Sequence, residues 1–431
     1  MKAKEVLLLI LIIVAGVSLY YLEDLRVKID NWDLEFPFSG NSYLFEEQLI
    51  EPPAEILEIN NSHGNIEIEG TDTPEIAITF EKKVWRQNEQ LARETANELK
   101  LLSTRERNRL ILTTNRDTFR KKNFSTSFRI KVPREIRVMV QNSFGTVKIS
   151  KVKAAELNNK QGKVEIMEIA GPLQATNSYE KLSVLDVQGN CQIETKHSSA
   201  LLSRIEGEVR INCAYENLEL FDLKSSLHLN SRHTRIKAIK IAGPSEIYGT
   251  YEQIILSESG PAIIKGQHSP LEIDTVKGPL EVETTYEKIR LERIEGNVKI
   301  KAKSSRVELN GIKAEEIRIE TSYEPVILEN FSGQLELSLK HGDISLTPTS
   351  LDFPMVVSTE YGNIKFYWPK NQTARFEARS KGGEISWKLP FPPEENVTNG
   401  TALVKAFSTA TDRPEVRLST SYGDIRIMKN E

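Results

Sequence analysis

The stretch Leu271-Glu-Ile-Asp-Thr-Val276, followed by Leu280-Glu-Val282, carries five apolar residues at offsets 0, 2, 5, 9 and 11. The same offsets return eighteen residues later, in Ile289-Arg-Leu-Glu-Arg-Ile294 and Val298-Lys-Ile300. Similar units begin at Val147, Val164, Leu182, Ala200, Leu218, Ile236, Ile254, Leu271, Ile289, Val307, Val326 and Ile344. A fixed period of this kind is typical of a stacked repeat architecture, in which each unit contacts its neighbours.

Each repeat unit predicts two short strands joined by a bend. Offsets 0 and 2, and again 9 and 11, place two side chains on one face of an extended segment. A glycine often follows the bend, and glycine accepts the positive φ that a tight corner needs. These glycines are Gly171, Gly189, Gly207, Gly243, Gly278, Gly296 and Gly333. We therefore expect an all-β fold, a right-handed parallel β-solenoid with rungs of about 18 residues, with an antiparallel meander or sandwich as the alternative.

A second, longer period lies just before each unit, where a Tyr-Glu pair alternates with His or Ser and a small residue. This alternation predicts a ladder of stacked rings at one corner, but it also allows a coil of 36 residues, and the sequence leaves both lengths open. The predicted ladder consists of Tyr179, His197, Tyr215, His233, Tyr251, His268, Tyr286, Tyr323 and His341.

The recurring histidines and glutamates also raise two chemical alternatives. Histidines two rungs apart would be separated by roughly 9–10 Å, too far to share a metal ion bound at about 2 Å. The recurring glutamates, such as Glu180 and Glu216, resemble the carboxylate clusters of polysaccharide-cleaving β-helix enzymes. A reactive pair should be a local exception, whereas this pattern is uniform. We predict no catalytic, cofactor-binding or metal-ligating residues.

Composition gives a chain of 431 residues, 39% hydrophobic and 27% charged, with a net charge of −4. There is no overall basic excess of the kind that nucleic-acid binding requires. Of the two cysteines, Cys191 falls at inward offset 9 and Cys213 falls at the corner before Tyr215. Because they occupy different columns, buried or free thiols are favoured over a disulfide.

The N-terminal end carries an apolar run of seventeen residues, 6–22, preceded by Lys2 and Lys4. It lacks a clear small-residue cleavage site, and Tyr20 and Tyr21 stand where interfacial aromatics occur. We expect an uncleaved single-pass anchor, with the bulk of the chain outside the cytoplasm, in the periplasm or at the cell surface; a cleaved signal peptide is the alternative.

The remaining boundaries follow from where the repeat begins and fails. Arg86 to Leu102 carries Leu91, Thr95, Leu99 and Leu102 at helical spacing, which predicts a short helical insertion near the N-terminal cap. The predicted order is a cytoplasmic end at 1–5, the transmembrane anchor at 6–22, a tether at 23–54, an N-terminal rung and cap at 55–139, the regular solenoid at 140–368, and irregular rungs with a C-terminal cap at 369–431.

Several ordered motifs resemble the bacterial putative-adhesin domain, a family of envelope proteins of unknown function. They are Asn61-Ser-His-Gly-Asn-Ile-Glu-Ile, the helical insertion, Ile130-Lys-Val-Pro133, Asn142-Ser-Phe-Gly-Thr-Val-Lys-Ile and Ser421-Tyr-Gly-Asp-Ile-Arg-Ile. The resemblance covers about 55–428. It implies adhesion and provides no catalytic residues; many central units depart from it by lacking the glycine after the aromatic residue.

One segment is strongly basic, because nine Lys or Arg between 105 and 131 face only Glu106 and Asp117. Arg116, Arg120, Lys121 and Lys122 are the candidates for an electrostatic contact with anionic headgroups or an anionic envelope polymer. The sequence thus favours a non-enzymatic, membrane-tethered scaffold that binds a cell-envelope protein or polymer. An enzyme acting on envelope polysaccharide and a bactofilin-like self-assembling filament are the alternatives.

Overall fold

A computed structural model describes residues 40–120, 122–398, 401–406 and 414–430. Strands of successive coils pair in parallel, most often at a spacing of eighteen residues: Val164 lies opposite Leu182, and Leu173 lies opposite Cys191. One coil therefore takes about 18 residues, and the 36-residue coil and the antiparallel meander are both excluded. The chain is a parallel β-solenoid of about 13 turns, which at about 4.8 Å per coil makes a rod roughly 60 Å long.

The described residues before 134 form seven strands, one α-helix and a 3₁₀-helix at Asn115–Thr118. In chain order they are β1 (Asn41–Glu51), β2 (Ile56–Asn60), β3 (Ile66–Thr71), β4 (Ile76–Arg86), α1 (Glu89–Glu98), β5 (Leu101–Glu106), β6 (Arg109–Thr114) and β7 (Phe124–Pro133).

Most coils of the regular part contain two strands, and two coils contain one long strand each. They are β8 (Arg137–Phe144), β9 (Val147–Ser150), β10 (Ala154–Gln161), β11 (Val164–Ile169), β12 (Leu173–Ser178), β13 (Leu182–Val187), β14 (Cys191–Lys196), β15 (Ala200–Ile205), β16 (Val209–Ala214), β17 (Asn217–Leu223), β18 (Leu227–Arg232), β19 (Arg235–Ile241), β20 (Ser245–Thr250), β21 (Ile254–Ser259), β22 (Ala262–Gln267), β23 (Leu271–Lys277), β24 (Leu280–Thr285), β25 (Ile289–Glu295), β26 (Val298–Lys303), β27 (Val307–Thr321), β28 (Val326–His341), β29 (Ile344–Pro348), β30 (Met355–Tyr361) and β31 (Ile364–Trp368).

These strands form two facing sheets. Sheet 1 contains the strands that begin each repeat unit, such as β23 and β25, and sheet 2 contains the strands that follow the corner, such as β24 and β26. The long strands β27 and β28 pass through the corner, so the first half of each belongs to sheet 1 and the second half to sheet 2.

The core lies between the two sheets and is formed by the five inward positions of every coil. Leu271, Ile273, Val276, Leu280 and Val282 are each at most 2% exposed, and burying one such side chain contributes roughly 2 kcal/mol. A single coil leaves its strand edges unpaired, so stability comes from stacking.

Beside this core runs a short internal ladder of asparagines. The Asn142 side chain donates to Asn159 at 3.2 Å, and the Asn159 side chain donates to Asn177 at 2.9 Å. Asn61 lies on the other side and donates to Asn142 at 3.4 Å. Each buried side-chain amide thereby provides a hydrogen-bond partner for the amide of the next asparagine.

At several coils, the corner glycine does not adopt the predicted positive φ. A Cβ on Gly207 would lie 2.4 Å from the carbonyl oxygen of Gly189 in the coil below, so close backbone stacking, and not a positive φ, requires glycine there. Positive φ values occur instead at non-glycine residues of two other columns. One is the ladder column, and the other includes Asp186 and Arg204, with φ of 57° each.

At the N-terminal end, the coils do not stack in chain order. The coil of β2 and β3 lies between the coil of β6 and β7 and the coil of β8 and β9. Beyond it, β4 pairs antiparallel with β7, and β1 pairs antiparallel with β4. These antiparallel strands cover an edge of sheet 1, and an uncovered edge would invite aggregation.

The C-terminal end repeats this arrangement. Its strands are β32 (Arg375–Ser380), β33 (Ile385–Lys388), β34 (Glu394–Thr398), β35 (Thr401–Ala406), β36 (Glu415–Thr420) and β37 (Ile425–Lys429). The last coil, β36 and β37, is inserted between the coil of β30 and β31 and the coil of β32 and β33. The hairpin of β34 and β35 then covers β32.

The helical insertion is confirmed, but its predicted buried face is wrong. Leu99 is buried as expected, whereas Leu91 is 43% exposed and Leu102, which lies in β5, is 45% exposed. The helix instead buries Ala92 and Ala96. It starts at the cap residue Asn88, whose side chain accepts a hydrogen bond from the Leu91 amide at 2.9 Å.

The predicted anchor, 6–22, lies outside the described residues. Among the helices that are described, none is long and apolar enough to cross a bilayer. The predicted tether of 23–54 is corrected at its end, because 41–51 form β1, which is paired with β4 along its whole length. Both faces of β1 are partly exposed, which explains why its sequence shows no clear alternation.

Candidate functional site: an exposed ladder of rings

The predicted ladder residues stack on one another along one corner of the rod. From Tyr179 to Tyr286, seven rings form a continuous stack, with centroid separations between 4.4 and 5.6 Å and interplanar angles between 3° and 12°. After one coil without a ring, Tyr323 and His341 stack at 4.8 Å. The structure therefore brings together all nine residues in the predicted order, in two sections.

The backbone of each coil fixes the position of its ring. Every predicted ladder residue except His341 has a positive φ, from 52° at His233 to 74° at Tyr251, which turns the chain sharply as it leaves sheet 2. The ladder amides also donate to the next coil, as His197 does to Ala214 O at 2.9 Å. The same residues therefore determine both the stacking of the rings and the register of the backbone between coils.

Four further rings continue the ladder beyond the predicted set. His63 stacks on Phe144 at 4.5 Å near the N-terminal end. At the other end His341 stacks on Tyr361 at 4.7 Å, and Tyr361 stacks on Tyr422 at 5.0 Å. In the sequence, the glycine that follows each of Phe144, Tyr361 and Tyr422 could have identified them as ladder residues. Tyr361 and Tyr422 meet because the last coil is inserted out of chain order.

The ladder presents ring edges to the solvent. Tyr179 is 61% exposed and Tyr251 is 53% exposed, although neighbouring rings cover much of their faces. The phenol hydroxyls and imidazole nitrogens are the polar groups of these edges, and they can donate and accept hydrogen bonds. A long row of similar polar edges suits an extended ligand better than a compact one.

The four residues of the predicted basic contact do not share one environment in the structure. Arg116 is buried. Its guanidinium donates a hydrogen bond to Phe124 O at 2.8 Å and lies 4.7 Å from the centroid of the Phe124 ring. Arg116 is therefore a packing residue of the N-terminal cap, which corrects its predicted role at the surface. Arg120 is exposed, and Lys122 pairs with Asp117 at 2.8 Å. Lys121 lies outside the described residues.

This basic segment lies near the N-terminal end of the ladder. Desolvation lowers the pKa of His63, and the positive charges of Arg116 and Lys122 lower it further. His63 therefore stays neutral under conditions in which a solvent-exposed histidine begins to protonate.

The ladder does not bring histidines together. Because each coil takes 18 residues, a tyrosine ring separates successive histidines, as Tyr215 separates His197 from His233. Within the described ranges, no group of three or more His, Cys, Asp or Glu side chains could hold a metal ion.

Six described carboxylates have a resolved pKa shift, and none of these shifts has the direction that a general acid needs. The pKa of Asp186 is lowered by its hydrogen bond from Arg204, and the pKa of Glu281 is lowered by its hydrogen bond from Lys299. A carboxyl that donates a proton near neutral pH needs a raised pKa. Among the described carboxylates with a resolved shift, the shift is downward in each case.

Both cysteines are free and buried, as the sequence favoured. Burial raises the pKa of Cys191 to about 12 and that of Cys213 to about 11. Cys213 points inward beside the ladder corner, with 7% of its surface exposed. Thiols of this kind are packing residues and weak nucleophiles.

Comparison with known proteins relates the C-terminal part of this chain to one family. Residues 264–428 match a family model described as Toastrack DUF4097, which confirms the resemblance over these residues; the motifs before residue 264 lie outside the match. The function of this domain is unknown. No curated protein matches the chain.

Among solved structures, the chain is similar to the crystal structure of a putative cell adhesion protein from Clostridium sporogenes ATCC 15579. The alignment covers 90% of this chain and 100% of that chain, with 9% sequence identity and a TM-score of 0.18.

Proposed function

We propose that this protein is a non-enzymatic scaffold of the cell envelope that binds an extended protein or polymer along its ring ladder. The observation that carries the proposal is the continuous stack of seven rings from Tyr179 to Tyr286, of which five are exposed and two, His197 and His233, are half-buried. Repeat proteins use such long regular surfaces for extended binding. The uniform surface and the lowered carboxylate pKa values favour binding over catalysis.

The membrane tether is part of the same proposal. The apolar run at 6–22 would anchor the N-terminal end, and the rod would extend from the outer side of that membrane. The exposed basic residues Arg120 and Lys122 would then contribute an electrostatic contact close to the anchored end. A contact of this kind weakens as salt is added, because counterions screen exposed charges within about 10 Å at 0.1 M.

The test is cosedimentation of the purified full-length protein with envelope fractions over a range of salt concentrations. Replacing Tyr215, Tyr251 and Tyr286 together by Phe keeps the stacked rings and removes three hydroxyls from the ladder edge. We expect this variant to bind less. Tyr248→Phe is the matched control, since Tyr248 is 39% exposed but lies on the outer face of sheet 2.

Three results would overturn the proposal. Equal binding by the triple variant and the wild-type protein would show that the ladder edge is not the binding surface. Hydrolysis of an envelope glycan, lost on replacing one carboxylate, would establish the enzyme instead. Concentration-dependent polymerisation without envelope binding would establish the self-assembling filament.

A further inference from the structure

The ladder lacks a ring at one coil although its backbone continues there. Ser304 occupies the ladder position between Tyr286 and Tyr323, and its φ of 55° matches that of the ring-bearing residues. The register is also unbroken, because the Tyr286 amide donates to Lys303 O at 2.8 Å and the Ser304 amide donates to Ser322 O at 2.9 Å. The interruption therefore affects the side chain alone.

This position differs from two other ringless ones. Gly382 lies beside Tyr422 in the coil of β32 and β33, at the end of the stack. Gln161 lies between Phe144 and Tyr179 in the stack of coils, but the positive φ there belongs to the following residue, Gly162, at 137°. Gln161 also has a long side chain of its own. Ser304 is thus the ladder position, among the described coils, that combines the left-handed backbone with a side chain too short to fill the space.

The usual strand spacing leaves room for one ring between Tyr286 and Tyr323, beside Ser304. Two coils separate Tyr286 from Tyr323, which is about 9.6 Å at the usual strand spacing. A ring midway would lie about 4.8 Å from each tyrosine, within the range of 4.4–5.6 Å seen along the continuous stack. Tyr286 and Tyr323 are 54% and 55% exposed.

Two of the nearby cations are directed toward another face. Lys288 pairs with Glu308 at 2.6 Å and Arg306 pairs with the same carboxylate at 2.7 Å. Glu308 lies on the outer face of sheet 1, so both cations are drawn toward that face. The space bounded by Tyr286, Ser304 and Tyr323 is called the slot.

We propose that the slot binds one aromatic side chain of a partner protein, which completes the ladder. The inference rests on the proposed function and specifies its partner as a protein. The molecule itself shows that this geometry accepts an aromatic ring, because His233 lies between Tyr215 and Tyr251, and His268 lies between Tyr251 and Tyr286. By the same alternation, the ring expected at 304 would be a histidine.

The test uses the full-length protein labelled with fluorotyrosine, with N-acetyltryptophanamide as the aromatic probe and methyl glucoside as the sugar probe. The resonances of Tyr286 and Tyr323 are assigned by replacing each with Phe. We expect the aromatic probe to cause saturable shifts of these two resonances. Ser304→His and Ser304→Tyr fill the slot with residues that occupy this backbone position elsewhere, so both should lose the shifts.

Ser183→His is the matched control, because it adds an imidazole on the outer face of sheet 1, far along the rod. It should retain the saturable shifts. Shifts that persist when the slot is filled, shifts that spread evenly over the other tyrosines, or no saturable shift at all would refute the slot. Shifts caused by methyl glucoside alone would refute an aromatic partner in favour of a carbohydrate.

Envelope binding is measured separately with the same variants. If the wild-type protein binds envelope fractions and Ser304→His binds equally well, the slot is not the contact, although the scaffold function stands. If the slot binds the aromatic probe but the wild-type protein binds no envelope fraction, the proposed function fails and the slot stands.

Discussion

Replacing His233 tests whether ring stacking and the left-handed backbone contribute separately to stability. His233 stacks on Tyr215 at 5.5 Å and on Tyr251 at 4.5 Å. Each contact is worth about 0.5–1.5 kcal/mol, so loss of the ring should lower the free energy of unfolding by about 1–3 kcal/mol. His233→Ala removes both contacts and keeps a Cβ at a φ of 52°.

His233→Gly removes the same contacts but also relieves the strain of the left-handed conformation. That conformation costs about 1–2 kcal/mol for a residue with a Cβ, while the greater freedom of glycine in the unfolded chain offsets about 0.4–1 kcal/mol of the gain. We therefore expect the Gly variant to be more stable than the Ala variant by about 1 kcal/mol. Glycine in the interior of a strand would have the opposite effect.

The measurement is urea unfolding, combined with hydrogen exchange of two local amides. The His233 amide donates to Thr250 O and the Tyr251 amide donates to Gln267 O, at 3.0 and 2.9 Å, so both report on this corner. His233→Tyr is the control, because it keeps a ring. An Ala variant as stable as the Gly variant, or a Tyr variant as unstable as the Ala variant, would refute the reasoning.

Three further predictions concern the core and the ends of the rod. Leu280→Asp buries an unpaired charge and should lower the free energy of unfolding by several kcal/mol, about 3–5, whereas Glu281→Asp on the outer face should change it little; similar urea midpoints for the two would contradict the two-sheet core. Cys191 and Cys213 should resist iodoacetamide in the folded protein at pH 8, because raised pKa values keep both thiols protonated; alkylation as fast as in urea would contradict their burial. Deleting the last coil, 415–429, should remove hydrogen-exchange protection from the coils on both of its sides; loss from only the later one would contradict the inserted order.

The inward residues and the ladder could be predicted from the sequence because they depend on local periodicity. Alternation within a strand decides which side chains face inward, and the eighteen-residue repeat decides which ones stack. Leu271 and Ile289, for instance, lie opposite each other in sheet 1. The order of the rings from Tyr179 to His341 follows from the same repeat.

The role of Arg116 and the buried face of α1 could not be predicted in this way. A cluster of positive charge along the sequence does not show which side chain turns inward, and Arg116 is buried against Phe124. Leu91 matches the apolar spacing of a helix. The buried face of α1 nevertheless consists of the small residues Ala92 and Ala96, because the helix packs closely on β4. Both outcomes depend on contacts between distant segments.

The sequence by itself determined the repeat, the two strands per unit and the identity of the stacked rings, because each depends on residues within one coil and its neighbour. The tertiary structure alone decided the 18-residue coil, since the Tyr and His alternation also fits 36 residues. It also decided the contact between Tyr361 and Tyr422, because the last coil enters between two earlier ones. An inserted coil forms backbone hydrogen bonds with the coils on both of its sides. The local sequence pattern does not specify which two coils these are.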